Sequence, residues 1–357
     1  RRSSDLIDHV AARCGYSRAT VSRVLNHDAS VRPATAEKVE QAIRELGYTP
    51  NVMAMGLSGG RSRTIAVLLP DVRQEYYSGL LAGADLAAEE LGYNILIKTK
   101  SNWKSLIGLV DGGRVDAFII RKNTDSQVLD GDFLAKLEHR GVPCLFIGKP
   151  PDEERYPSVL IDNIGGARLM ARHYIEHGFK RILFVSGHEA NLDSNDRAFG
   201  FKLGLGEMGY EPEKLFVARG DFSRLSGYAA ARAVIERERI DAVFAANDQM
   251  ALGVICYCRE RGIGVPEDVA VTGFDDAFFA EYLQPSLTTV QQPLYDIGAV
   301  SVRNVVQLLE GSGAREHQVI LPTRLQIRRS CGCLAGGPGS AIGPAEDIEI
   351  TYKEASL

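Results

Sequence analysis

A chain of 357 residues is too long for one average domain, and its 45% hydrophobic and 24% charged composition suits a globular protein of two or three packed units. No apolar stretch approaches the roughly 18 to 20 residues that cross a bilayer, and the opening RRSSDLIDHV has no apolar region behind its basic residues, which predicts a cytoplasmic chain without a membrane partner. The net charge of −5 is uneven: residues 1–63 hold ten Lys and Arg against six acids, so a head at +4 precedes a body at −9, and only the head suits a polyanion.

In DLIDHVAARCGYSRATVSRVLN, Leu6, Val10 and Ala11 recur at helical spacing, Gly15 breaks the pattern, and Ser17 stands as an N-cap before a second helix. That helix buries Val21, Val24 and Leu25 and turns Arg18, Ala19, Ser22 and Arg23 outward, a face that fits a DNA major groove. A third helix follows in RPATAEKVEQAIRELGY, with Pro33 at its start, Val39, Ile43 and Leu46 as its inner stripe and Gly47 as its stop. The spacing alone also fits a helical dimerisation module whose arginines are a solvated face.

The next stretch, TPNVMAMGLSGG, reads two ways: Gly59 and Gly60 suit a tether, whereas Val52, Met53, Ala54, Met55 and Leu57 are a poor choice for one. From residue 64 the pattern alternates. Apolar runs TIAVLLP, YNILIKT, VDAFII and PCLFIG are separated by helical stretches, and a second series follows in SVLID, RILFVSG, LFVA, DAVFAAN and VAVTGF. Alternating strand and helix predicts an α/β core of two doubly wound parallel-sheet subdomains, with a ligand in the crevice at the strand C-terminal ends.

Arg197, Asn247, Asp248 and Asp275 fall at such ends and offer donors and acceptors for sugar hydroxyls, while Tyr76, Tyr77 and Phe222 offer faces for a pyranose ring. Lys122 and Lys149 favour an anionic or phosphorylated ligand instead. There is no G-x-S-x-G elbow, no Walker A and no G-x-G-x-x-G between a strand and a helix, so the chain is not read as an enzyme and no cofactor is expected.

His173 and His177 lie four apart on a helix, but without the glutamate of an H-E-x-x-H they read as a helix end. The six cysteines form no secreted framework. The two C-x-C pairs, Cys256 with Cys258 and Cys331 with Cys333, are tighter than the usual C-x2-C of a metal site, so they read as a buried thiol pair and an exposed tail, with no metal expected. That tail, CGCLAGGPGSAIGPAEDIEITYKEASL, has no leucine heptad, which argues against a coiled-coil tetramer.

VAARCGYSRATVSRVLN, TAEKVEQAIRELGYTPN, RILFVSG, ANDQMALG, VPEDVAVTGFDD and PSLTTVQQP occur in an order that resembles the lactose-repressor (LacI/GalR) family of bacterial transcription regulators, over nearly the whole chain. The resemblance implies an N-terminal helix-turn-helix three-helix domain over residues 1–50, a hinge helix and linker over 51–63, and a periplasmic-binding-protein-like core over 64–329. The chain would cross near Ile161, Val290 and Ile320, giving one lobe of 64–161 with 291–319 and another of 162–290 with 320–329. Residues 330–357 would be a flexible tail. Early in the first helix, Leu6 and His9 replace the family's usual Thr and Asp, with Asp5 a substitute cap.

The same resemblance makes Arg18, Ala19 and Arg23 base-reading positions and Ser17, Thr20, Ser22 and Asn26 phosphate or groove contacts. In the hinge it makes Leu57 a wedge for the minor groove, with Asn51 opening the segment. Arg197, Asn247 and Asp275 become effector contacts and Phe222 a stacking aromatic, while Asp162 and Asp248 divide between ligand and structural roles. The family's NPFF reads QEYY at residues 74–77, which replaces two phenyls by two phenols. The implied protein is a homodimeric repressor of a pseudo-palindromic DNA operator, controlled by a small-molecule effector, most simply a sugar. A soluble carbohydrate receptor for transport is the alternative that the body alone would fit.

Overall fold

The computed structural model describes residues 3–25, 30–47, 61–70, 76–99, 103–121, 131–211, 215–311, 317–333 and 341–342. The head is three helices, α1 (Ser3–Cys14), α2 (Arg18–Leu25) and α3 (Pro33–Leu46), closed over Val10, Val21, Val24, Val39 and Ala42. Gly15, at φ +74°, makes the turn between α1 and α2, a conformation that strains a side-chain-bearing residue. Gly47 ends α3 in the left-handed region, and its N–H bonds back to Ile43 and Arg44. Two expectations are corrected. Leu46 is 43% exposed and Ala42 takes its inward place, because the stripe drifts round the helix before the last turn. Helix α1 begins at Ser3, so Asp5 lies within it rather than capping it.

The remaining elements in chain order are β1 (Thr64–Leu69), α4 (Tyr76–Glu90), β2 (Asn94–Thr99), α5 (Trp103–Asp111), β3 (Ala117–Arg121), α6 (Gly131–His139), β4 (Cys144–Ile147), β5 (Ser158–Ile161), α7 (Asn163–Glu176), β6 (Ile182–Ser186), α8 (Leu192–Glu207), β7 (Leu215–Arg219), α9 (Arg224–Ile235), β8 (Ala242–Ala245), α10 (Asp248–Glu260), β9 (Ala270–Asp275), β10 (Thr288–Gln291), α11 (Leu294–Glu310), β11 (Gln318–Leu321), β12 (Arg324–Gln326) and β13 (Ala341–Ile342). They build two sheets.

The first runs β11-β5-β4-β3-β1-β2, with every pair parallel. Its inner strands β1, β3 and β4 are apolar nearly throughout because both their faces are covered, whereas the outer strands β2 and β11 carry exposed positions. Ile65, Val67, Ala117, Ile119, Leu145 and Ile147 point into one core, beneath α4 and α11. The alternate residues Ala66, Leu68, Phe118, Ile120 and Phe146 point into the other, beneath α5 and α6. Helices α4 and α11 touch through glycines: a Cβ on Gly83 would stand 1.9 Å from the Tyr295 carbonyl oxygen, and one on Gly298 would stand 2.0 Å from that of Leu80.

The second sheet runs β13-β12-β10-β9-β8-β6-β7, parallel except for β12 and β13 at one edge. Its core gathers Phe184, Phe201, Phe244, Tyr174 and Phe274. Strand β5, grouped by sequence pattern with the second series, pairs with β4 in the first sheet. The chain passes between lobes after β5, after β10 and between β11 and β12, so the last passage lies at 321–324, just beyond Ile320. Residues 330–333 are not a loose tail: Ser330 and Cys331 are buried in the second lobe, and Ala341–Ile342 add a strand to its edge.

The chain enters β1 through a clamp. The Asp116 carboxylate accepts from the Ser62 N–H and hydroxyl, both at 2.9 Å, and from the Arg63 N–H at 2.7 Å. Ser62 is buried, and the Asn94 N–H bonds the Arg63 carbonyl at 2.8 Å.

Candidate DNA-binding face and effector cleft

On α2 the helical period sorts the side chains: Val21 and Val24 are buried, while Arg18, Ala19 and Arg23 are exposed and Thr20 and Ser22 half-buried. The Ser17 hydroxyl accepts from the Thr20 N–H at 3.2 Å and meets the Thr20 hydroxyl at 2.9 Å, which fixes the first turn. Arg18 stands 3.9 Å from Asp8, with both side chains more than half exposed. Such a solvated pair holds the guanidinium only weakly, leaving it available to a base edge. Asn26, Asn51 and Leu57 lie outside the described residues.

In the body, Arg197 on α8 is the centre of a buried network. Its Nε donates to Asn163 Oδ1 at 2.8 Å, and its Nη1 donates to the Ala246 carbonyl at 2.5 Å and to Asp275 Oδ1 at 3.3 Å. The guanidinium lies over the Phe274 ring at 3.8 Å. Asp275 also accepts from Gln292 Nε2 at 2.5 Å. Asp275 and Asp276 both hold positive φ, +125° and +59°, so the turn after β9 is a strained conformation kept by its surroundings.

The network reaches the other lobe through Asp193, at the start of α8. Its carboxylate accepts from Asn163 Nδ2 at 3.1 Å and from Arg121, at the end of β3, at 2.5 Å. Lys149 and Asp196 make a second link between lobes at 2.9 Å. Arg121 lies over the Tyr76 ring at 5.9 Å, and Tyr76 meets Tyr77 edge-on at 5.1 Å.

Burial alone would raise the Asp193 carboxyl, but the Arg121 and Arg197 guanidiniums outweigh it and hold its pKa below the ordinary carboxylate value. For Asp275 burial prevails over Arg197, and its pKa is pushed up to about 6. Asp248 is also raised, by burial and then by the Asp275 charge.

Of the residues named from sequence, Tyr76, Arg197 and Asp275 belong to this network or border it. Asp162 spends its carboxylate capping α7, accepting from the Gly165 N–H at 2.7 Å. Asn247 caps α10 through Met250 and donates to the Phe222 carbonyl at 3.1 Å. Asp248, fully buried, accepts from Thr289 at 2.6 Å and from the Ala277 N–H at 2.8 Å, which ties down the loop after β9. Tyr77 is buried with the first lobe's core, and the Phe222 ring packs against Gly187. The Lys149 charge is taken by Asp196, and Lys122 is outside the described residues.

Sequence reasoning missed Arg121, Asn163, Asp193 and Gln292. Arg121 and Gln292 follow apolar strand runs, a signal that was present; Asp193 and Asn163 stand at helix starts that look like ordinary caps.

Residues 6–51 match the model of bacterial regulatory proteins of the lacI family, and residues 171–331 match a periplasmic binding protein-like domain. The HTH-type transcriptional regulator CelR of Thermobifida fusca is 36% identical over 341 residues, 92% of this chain and 99% of that protein. Catabolite control protein A of Priestia megaterium is 32% identical, over 90% of this chain and 97% of its own. Among solved structures, a transcriptional regulator CelR–cellobiose complex superposes with a TM-score of 0.69 at 34% identity, covering 91% of this chain and 99% of that one. The lac repressor dimer bound to operator and the anti-inducer ONPF superposes at 0.74 and 29% identity, covering 90% and 97%. With its head matching that family and relatives above 30% identity aligned along nearly their whole length, the chain belongs to the lacI family of bacterial regulatory proteins.

Proposed function

We propose that the protein is a transcriptional repressor that binds a pseudo-palindromic operator as a homodimer and reads a sugar or sugar derivative in the cleft between its lobes. The observation that carries this reading is the run from Arg121 through Asp193 and Asn163 to Arg197 and Asp275. It brings the Arg121 guanidinium of the first lobe against the Arg197 guanidinium and the Asp193 and Asp275 carboxylates of the second. Sugar hydroxyls both donate and accept, so they can replace such contacts one for one. Two family members with bound sugars support the class: CelR with cellobiose, and a LacI family regulator from Enterococcus faecium with ribose, 26% identical over 76% of this chain.

Arg18, Ala19 and Arg23 read bases, Ser17, Thr20, Ser22 and Asn26 position the helix, and Asn51 and Leu57, outside the described residues, contact the operator's minor groove. A repressor of a chromosomal operator would work in the cytoplasm; among the described residues no helix is long and apolar enough to cross a membrane.

The test is an operator titration followed by fluorescence anisotropy, with and without a panel of neutral sugars and sugar phosphates. At least one should change operator affinity by about tenfold, within the usual range of allosteric coupling. Specific DNA binding untouched by the whole panel would sink the effector coupling. Sugar binding without specific DNA binding would favour the transport receptor.

A further inference from the structure

We infer that the second lobe carries a structural zinc site formed by His173 and His177 of α7 with Cys331 and Cys333 of the C-terminal segment. One ligand atom from each of the four, an imidazole nitrogen or a thiol sulfur, lies within 4.8 Å of all the others. The His177 Nε2 and Cys333 Sγ atoms are already 3.1 Å apart, although 156 residues separate them in sequence. The histidines, four apart, share a helix face with ring centroids at 4.6 Å. In a tetrahedral zinc site with ordinary Zn–S and Zn–N bonds, neighbouring ligand atoms are about 3.3 to 3.8 Å apart. Small side-chain rotations close the difference.

One feature beyond this clustering points to a ligand, and the turn that carries the cysteines suits it. His173 is 5% exposed, and its Nε2 is buried with no hydrogen-bond partner, a state that folded proteins rarely leave unexplained. Gly332, between the two cysteines, holds φ +90°. The chain therefore turns between the two cysteines, and both thiol sulfurs lie in the cluster. The turn is also held rigidly: the Ser330 hydroxyl donates to the Val271 carbonyl at 2.5 Å and accepts from the Thr288 N–H at 2.9 Å, and Thr288 Oγ1 donates to Cys331 Sγ at 3.1 Å.

Two imidazoles and two thiols are the donor set of tetrahedral structural zinc, and four protein ligands leave no open position for catalysis. Binding deprotonates both thiols, releases two protons to solvent and involves no change of oxidation state. The site clips residues 331–333 to the helix that begins at Asn163, and it is independent of the effector reading. The sequence reads as a helix end and an exposed tail: His177 does cap α7, but Cys331 is buried, and each half is too weak a signal alone because only the fold brings them together.

The test uses the full-length protein, purified under reducing conditions and loaded with zinc, then dialysed. The expected result is about one zinc per chain, with a cobalt-loaded form showing tetrahedral visible bands and a thiolate charge-transfer band. Chelation should lower the melting temperature, and zinc should restore it. Cys333→Ser and His177→Ala, at the more exposed half of the site, should each lose most of the bound zinc while keeping the wild-type circular dichroism. A reduced protein that retains no zinc, an octahedral cobalt spectrum, full stoichiometry in both variants, or a Cys331–Cys333 disulfide that persists under reductant would each overturn the assignment.

Discussion

Asp275 is the residue on which burial and charge disagree most visibly. Arg197 favours its carboxylate, but burial prevails and lifts its pKa to about 6 from an ordinary 3.8. The folded protein therefore holds this proton more tightly than the unfolded chain. The contribution to stability is complete below about pH 3.8 and is lost as pH rises through about 6. Asp275→Asn removes that dependence. Urea denaturation from pH 4 to 7 should show the variant gaining on the wild type by up to about 2 kcal/mol as pH rises. Parallel stability curves would show that the carboxyl titrates normally.

Residues of this kind were only partly legible in the sequence. Asp275 was visible because a polar group at a strand end in an apolar frame has few structural uses, whereas Arg197, expected at such an end, lies inside α8. Asp162 and Asn247 look the same in sequence, yet their oxygens accept from helix N–H groups. Asp193 was hidden because its importance comes from Arg121, on the other lobe, and no local pattern encodes that approach.

At the scale of elements, the close contact of α4 with α11 makes a sharp prediction. Gly83→Ala places a methyl group 1.9 Å from the Tyr295 carbonyl oxygen, so the helices must separate. A loss of about 1 to 3 kcal/mol in urea unfolding is expected, whereas Gly108→Ala, with open space at its Cβ, should stay near wild type. If both variants melt alike, the packing of this pair is looser than described.

Helix α2 presents the opposite case, a face with little to lose in stability. Arg18→Ala or Arg23→Ala should cost about 1 to 3 kcal/mol of operator binding with effector binding retained, as read by anisotropy and calorimetry. Equal loss on random DNA would assign the side chain to phosphates instead. Strands β1 to β9 could be read from apolar runs, most plainly β1, β3, β4, β6, β8 and β9, whose side chains are nearly all buried. The short strands β10 to β13, of two to four residues with mixed polarity, could not, since their partners are fixed by the crossings rather than by their own pattern.

For the whole molecule, the Arg121–Asp193 pair, about 15% exposed on either side, is the buried link across the cleft, and Lys149–Asp196 is its more open companion. Asp193→Asn leaves Arg121 without its counter-charge. It should destabilise the protein by about 2 kcal/mol and shift operator affinity in the absence of any sugar. Small-angle scattering should show a wider molecule; an unchanged radius with unchanged operator affinity would mean that the link does not set the lobe equilibrium. Leu57→Ala, in a segment outside the described residues, should weaken operator binding by about tenfold or more and leave effector binding near normal. Unchanged operator affinity would reduce that segment to a tether.

The clamp at the entrance to β1 gives such lobe movements a mechanical output. Asp116 grips two successive backbone N–H groups and a hydroxyl, and the next carbonyl is taken up by Asn94, so residues 62–63 have no slack against the sheet. β1 is flanked on both sides, by β2 and β3, so a pull on this point is shared across the sheet rather than peeling an edge. A coupling with no backlash passes small rotations of the first lobe on at full amplitude to the residue at which the clamp begins.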